Sequence, residues 1–364
     1  MGHEAAQVGR HGSGRQDREL TGRDVGQTLS SVNPKMPQPS LMRTLALLLL
    51  AAGVAGAQFK STATLVVAPI TVTDSKGRHV GALDPADLAL YDNGVREAIQ
   101  VDESYNPISL VVAVQTSANS AAILDKLGSS GILFADLLAG DRGETAVVTF
   151  SDEVRVLRDF TASSDRLAAG LRSLHVQGTG AVALEAVMRS LAMLAKRPSD
   201  RRRILLVIAE KRDRSSKVKF PVVLKEAQRQ NVLIYWLSYS PFLEPFTAQP
   251  KHVKSKDPAK DGQPLPPDMA PGNLLSVFTE MAQQGKPDNS VQLTRATGGR
   301  ALRFLQKEAL EEAIQAVAAE VHRQYIVSFT PPAGKAGEYH VIRVEVKGHP
   351  EWTARTRAGY WAVP

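Results

Sequence analysis

The stretch Ile108-Ser-Leu-Val-Val-Ala-Val-Gln-Thr-Ser-Ala-Asn-Ser120 decides the fold. An unbroken apolar run, Leu110 to Val114, stops abruptly at small polar residues. A run this short and rich in valine predicts a strand buried on both faces, as in the middle of a parallel sheet. A helix-compatible segment, Ser120 to Leu138, follows at once. Open α/β sheets gather their ligands at the carboxyl ends of such strands. The polar residues from Gln115 to Asn119 are therefore the first candidate site.

Working outward, strands and helices alternate. Glu144–Phe150 reads as an apolar strand and Val154–Phe160 as a shorter alternating one. Ser163–Leu174 is helical, with Ser163 or Ser164 as its cap. A second helix, Ala181–Lys196, follows Gly178-Thr-Gly180. Arg203–Ala209 and Asn231–Leu237 are two further buried strands, separated by a helix over Pro221–Gln230 with the proline in its first turn. This order predicts a three-layer α/β domain, doubly wound around a mostly parallel sheet, over residues 106–330. Within it, residues 241–288 are rich in proline and lysine and read as a surface insertion. A strand near Arg300–Phe304, a helix over Lys307–Val321 and a strand over Tyr325–Thr330 complete the domain.

Two smaller β segments flank it. Residues 58–105 carry a strand over Thr64–Thr73, a capped helical turn at Leu83–Leu88, and an Asn93-Gly94 hairpin signal with a return over Val95–Val101. Residues 331–364 hold the alternating strand His340–Lys347 and a last one over Arg355–Ala362. Each is too small to stand alone, so the two are expected to pack together. At the amino end, residues 1–41 read as a disordered extension or an upstream mis-start. Residues 42–57 have the layout of a signal peptide: Met42-Arg, an apolar run, then Ala55-Gly-Ala57. That run is short for a membrane span. The expected destination is export to the periplasm, envelope or medium, with membrane contact only through this segment if it stays uncleaved.

Composition narrows the chemistry. At 364 residues and 43% hydrophobic content, the chain can bury a large core. It has no cysteine, which excludes disulfides, thiolate catalysis and Cys-ligated metals. The net charge is +7, but the basic residues are dispersed and aromatics make up 5%, which argues against nucleic acid as a partner. No nucleophile elbow, phosphate loop or dinucleotide fingerprint is present. His79, His175 and His322 lack metal-ligand spacing, so the chain is not expected to be an enzyme. Lys196-Arg197 with Arg201-Arg-Arg203 reads as a solvated basic loop, and Tyr235 with Trp236 as core.

The order of elements resembles a von Willebrand factor type A domain. Gln115-Thr-Ser-Ala-Asn119 stands where that family carries Asp-x-Ser-x-Ser, Gly178-Thr179 where it carries a threonine loop, and Ile208-Ala-Glu-Lys-Arg-Asp213 where it carries Thr-Asp-Gly-x-Asp. Over residues 62–362 the chain is more similar still to the exported type-A-related proteins abundant in acidobacteria. These have a β module like Thr71-Val-Thr-Asp…Asp92-Asn-Gly94 before the domain and a strand like His340-Val-Ile-Arg-Val-Glu-Val346 after it.

The resemblance implies a metal-ion-dependent adhesion site holding Mg2+ or Mn2+, with one position open to a partner's carboxylate. It also implies that the site is degenerate. Ser117 and Thr179 match as hydroxyl ligands, and Glu210 keeps the third loop's charge. Gln115 stands for an aspartate and Asn119 for a serine. Ser117, Thr179 and Glu210 are thus the candidate metal ligands, and the expectation is no cofactor, or weakly bound Mg2+ or Mn2+. A hard divalent cation needs about six oxygens and negative charge around it. Two readings stay open: these side chains only satisfy loop backbone, or the face meets an acidic side chain of a protein partner through Lys211, Arg212 or Arg214. The function expected is a non-enzymatic, adhesion-type protein-binding module; the alternative is an assembly component of an envelope complex that binds through its β modules.

Overall fold

The computed structural model describes residues 65–362 except 103–105, 132, 212, 240–287, 305–308 and 333–334. The expectations for residues 1–57, for 241–287 and for Arg212 lie outside the described residues. In chain order the strands are β1 (Val66–Thr73), β2 (Leu88–Asp92), β3 (Val95–Glu97), β4 (Gln100–Asp102), β5 (Ile108–Gln115), β6 (Glu144–Phe150) and β7 (Val154–Thr161). They continue with β8 (Arg202–Glu210), β9 (Leu233–Tyr239), β10 (Ala301–Phe304), β11 (Tyr325–Phe329), β12 (Tyr339–Val346), β13 (Thr353–Arg355) and β14 (Gly359–Trp361). The α-helices are α1 (Ala121–Ser129), α2 (Ser164–Arg172), α3 (Ala183–Leu194), α4 (Phe220–Arg229), α5 (Asn289–Thr297) and α6 (Ala309–His322).

One sheet, ordered β10-β9-β8-β5-β6-β7, is parallel except for β7, which pairs antiparallel with β6 at the edge. Every residue of β5 is buried. Its side chains alternate: Leu110, Val112 and Val114 face a core shared with α1, α2 and α6, while Val111 and Ala113 face one shared with α3, α4 and α5. This is why the run lacks the polar alternation of a half-exposed strand. The result is a three-layer, doubly wound α/β fold, the class that the element order implies.

The flanking segments form a two-sheet sandwich around a core of their own. One sheet runs β13-β1-β11-β4, with early and late strands alternating, and the other β14-β12-β2-β3, where a late pair meets an early pair at β12 and β2. Tyr325–Phe329, read from sequence as the end of the α/β domain, pairs with β1 from Val66↔Phe329 to Ile70↔Tyr325. Asn93 (φ 48°) and Gly94 (φ 83°) make the hairpin turn between β2 and β3, both left-handed as a type I′ turn requires.

Some local expectations shift for clear reasons. Ser120–Leu138 is not one helix: α1 stops at Ser129, and Leu133–Ala139 forms a π-helical turn. The hydroxyls of Ser129 and Ser130 both donate to the Lys126 carbonyl, at 2.7 and 2.8 Å, competing with the helix ladder. Gly131 then permits a close approach, since a Cβ there would lie 2.7 Å from Ala168 Cα. The single strand expected over Arg355–Ala362 is two short ones, in different sheets. Buried Arg357 turns the chain between them, donating to Gly359 O (2.8 Å), to Gln228 O (2.6 Å) and to Asn231 Oδ1. Helix α5 has no counterpart in the sequence reading; its cap is Asp288, whose Oδ1 accepts from the Ser290 N–H at 3.1 Å.

The cap left open in sequence is Ser163, whose Oγ accepts from the Arg166 N–H at 3.3 Å. Ser163→Ala should cost about 1 kcal/mol in urea unfolding, whereas Ser164→Ala should cost a few tenths. Equal costs would mean that this hydrogen bond does not hold the end of α2.

Candidate functional site

The strand order reverses at β5, with β6 on one side and β8 on the other, so the crevice beyond their carboxyl ends is the topological switch point. Three loops meet there: the first over 116–120, the second over 177–181 and the third over 211–218. Backbone bonds lace them together. Gln177 N–H donates to Thr116 O (2.6 Å), Ala118 N–H to Gly178 O (3.2 Å) and Arg214 N–H to Ala181 O (3.2 Å).

Gln115, the last residue of β5, lies at the centre and is 1% exposed. Its Oε1 accepts from the Glu210 N–H at 2.9 Å. Its Nε2 donates to Ser117 Oγ at 2.6 Å and points at Glu210 Oε1 from 3.4 Å. Because the Glu210 N–H can only donate, the amide has one sensible orientation. Arg214 Nη2 donates to the same Glu210 Oε1 at 3.2 Å. Gln115, Ser117, Glu210 and Arg214 thus form one network, and the first three are buried. Thr179 and Asn119 sit exposed on the rim. Lys211 pairs with Asp288, 3.0 Å away.

Five residues of this face were not among the candidate site residues read from the sequence. Asp152, in the turn after β6, accepts from the backbone N–H groups of Thr179 (3.2 Å) and Gly180 (2.8 Å) and so holds the second loop. It sits at the carboxyl end of a buried strand, as Gln115 does; extending the switch-point argument to β6 finds it. Asp213 Oδ1 accepts from the Ala183 N–H at 3.2 Å, and burial raises its pKa against the lowering by Ser216. Tyr239 and Ser120 share a hydroxyl–hydroxyl bond of 2.7 Å, and burial pushes the Tyr239 pKa up, so the phenol stays neutral. Asp288 caps α5 and holds Lys211. Nearby, Glu185 accepts from the backbone of Lys217 and Val218. Burial alone would raise its pKa, but these bonds and one from Ser216 outweigh it and the net shift is downward.

These residues do not fit a hard divalent cation as they stand. Such an ion needs oxygen lone pairs turned toward it. Here Ser117 Oγ and Glu210 Oε1 are both turned to N–H donors of Gln115, and Arg214 also takes the Glu210 oxygen. Among the described residues, no group of three or more His, Cys, Asp or Glu side chains is placed to hold a metal.

The basic cluster is not a solvated loop. Arg197 pairs bidentately with Glu144 at 2.7 Å, and Arg201 reaches Ser109 Oγ and the Ile108 carbonyl. Arg202 donates to Val321 O and Gln324 Oε1, and Arg203 to Gln230 O and Arg197 O. These guanidiniums clamp the amino ends of the strands, opposite the candidate site. Tyr235 and Trp236 are core, as the sequence suggests.

No protein-family model matches the chain. No curated protein matches it either. Among solved structures it is similar to the conserved hypothetical protein BatB from Bacteroides thetaiotaomicron, at 15% identity and TM-score 0.37, covering 59% of this chain and 98% of that one. An aerotolerance-related membrane protein from Bacteroides fragilis gives 14% identity and TM-score 0.38, with 59% and 98% covered. A von Willebrand factor type A protein from Catenulispora acidiphila gives 9% identity and TM-score 0.43, with 85% and 76% covered.

Proposed function

We propose that this chain is an exported, non-enzymatic protein-binding module of the adhesion type, which engages a partner protein through the three-loop face of its α/β domain. The observation that carries this reading is the lacing of the loops. Backbone bonds fix all three, while Asn119, Thr179, Lys211 and Arg214 stay exposed around one rim. A pre-formed polar rim binds without first paying for loop ordering. Ser117, the buried hydroxyl of this face, meets an amide donor rather than a base. Lys211 and Arg214 keep 47% and 41% side-chain exposure beside their own carboxylates. An acidic side chain of the partner is shared between them, and because the rim is solvated this contact weakens with salt.

The second reading, an assembly component of an envelope complex, is favoured by the sandwich: Val95 (64% exposed) and Val341 (39%) lie on one sheet, with β3 at its edge. Deleting the amino-terminal module would not separate the two readings, because β1 and β2 pair with β11 and β12. A photo-crosslinking side chain placed singly at Asn119 or at Val95 in the full chain does. Crosslinks from position 119, reduced at least about tenfold by Thr179→Ala with Arg214→Ala, support the three-loop face. Crosslinks from position 95 alone would transfer the function to the sandwich.

A further inference from the structure

We infer that an amide and a guanidinium have taken over the structural work of a divalent ion on this face, so that it is assembled permanently and does not respond to metal. A bridging ion would do two things at this place: tie the first loop to the third, and neutralise the carboxylate buried between them. Both tasks already have holders. Gln115 ties the loops, with Oε1 on the Glu210 N–H (2.9 Å) and Nε2 on Ser117 Oγ (2.6 Å). Arg214 neutralises Glu210, which is 5% exposed and needs a cation nearby.

The two replacements reinforce each other. A glutamine where an aspartate would supply charge leaves Glu210 as the one carboxylate of this buried network, and one guanidinium balances one carboxylate. A divalent ion entering here would meet the NH2 group of Gln115 head-on and be repelled by Arg214. Arg214 is itself held in place, since its backbone N–H bonds Ala181 O at 3.2 Å and so fastens the third loop to the second. The position therefore has a built-in cation that cannot dissociate. Partner binding on such a face is constitutive, whereas an ion-bridged face follows the metal concentration. This inference concerns how the face is assembled and does not depend on which protein binds it.

The test uses the full chain with MgCl2 and MnCl2 alone, read by calorimetry, by thermal unfolding and by water-proton relaxation of Mn2+. Wild type should give no binding heat at millimolar metal and the same unfolding temperature in Mn2+ as in EDTA. Gln115→Ala should unfold at a lower temperature, with no rescue by Mn2+. Gln115→Asp with Arg214→Ser turns the position into an acceptor set and should bind Mn2+ at least about tenfold more tightly than wild type. Micromolar metal binding by wild type overturns the inference. So does a folded double variant that binds Mn2+ no better than wild type, because Gln115 and Arg214 would then not be what excludes the ion. If the double variant does not fold, Arg214→Ser alone decides. It removes the competing cation, so it should bind Mn2+ more tightly than wild type, and equal binding counts against the inference.

Discussion

Glu320→Ala should cost about 3–5 kcal/mol of stability, because it removes one member of a buried charge cluster and leaves the others uncompensated. Glu320 lies in α6 and is 1% exposed. Its Oε1 accepts from the Tyr235 hydroxyl at 2.8 Å and from Arg355, and its Oε2 lies 3.4 Å from Arg300 Nε. One carboxylate thus joins β9 of the parallel sheet, the approach to β10, and β13 of the sandwich. Arg355 also donates to the Gly299 carbonyl. The side chains of Arg300 and Arg355 are 30% and 27% exposed, so each can recover some hydration by swinging out, which favours the lower end of the range. Glu320→Gln keeps the shape and an acceptor for Tyr235 but loses the charge, and should cost about 2 kcal/mol. Arg355→Ala leaves the carboxylate with Arg300 and should cost less than Glu320→Ala. Urea unfolding of the three variants checks the order. A cost for Glu320→Ala below that for Arg355→Ala would show that the carboxylate is not the hub.

The sequence predicts the α/β domain well because its strands are buried on both faces. An unbroken apolar run such as Leu110–Val114 or Ile204–Ala209 has few alternatives in a soluble chain. The sandwich is less legible, since its pairings are between segments far apart in sequence. Nothing local in Tyr325-Ile-Val-Ser-Phe329 says whether it joins β10 or β1, and only the partner's register decides. Element ends are hidden where one side chain sets them. The buried Arg357, whose pKa burial lowers to about 10, breaks a strand by donating to the Gly359 carbonyl two residues on and to the Gln228 carbonyl at the end of α4.

The site divides in the same way. Gln115 and Ser117 are found from their place at the end of a buried strand, which topology controls, whereas Glu210 enters only through the resemblance of its loop. The pairing of Arg214 with Glu210 rests on an i, i+4 spacing in a loop, where no helix periodicity announces it. Lys211 reads as a free cation from sequence because its partner Asp288 lies beyond a long intervening segment. Asp152 is silent for another reason: it binds backbone, and backbone N–H groups leave no residue signature in the second loop except its glycines.

Those glycines give the other large effect. Gly178 has φ +69°, a left-handed conformation that costs a residue with a Cβ about 1–2 kcal/mol. It also faces Asp152 so closely that a Cβ there would lie 1.8 Å from Oδ2. Gly178→Ala must therefore expel the carboxylate that holds Thr179 and Gly180, adding about 1 kcal/mol for charge-assisted bonds at an exposed position. The expected total is about 2–3 kcal/mol, with faster amide exchange across residues 177–181. Asp152→Ala loses the bonds without the clash and should cost about 1 kcal/mol. The combination decides between causes. If the clash is with Asp152, the double variant should be less destabilised than the sum of the two single ones by about 1 kcal/mol, because the alanine methyl then has nothing to displace. Strict additivity would mean that backbone strain alone makes Gly178 necessary. In that case the methyl is accommodated without displacing Asp152, whose bonds to Thr179 and Gly180 then stabilise the second loop independently.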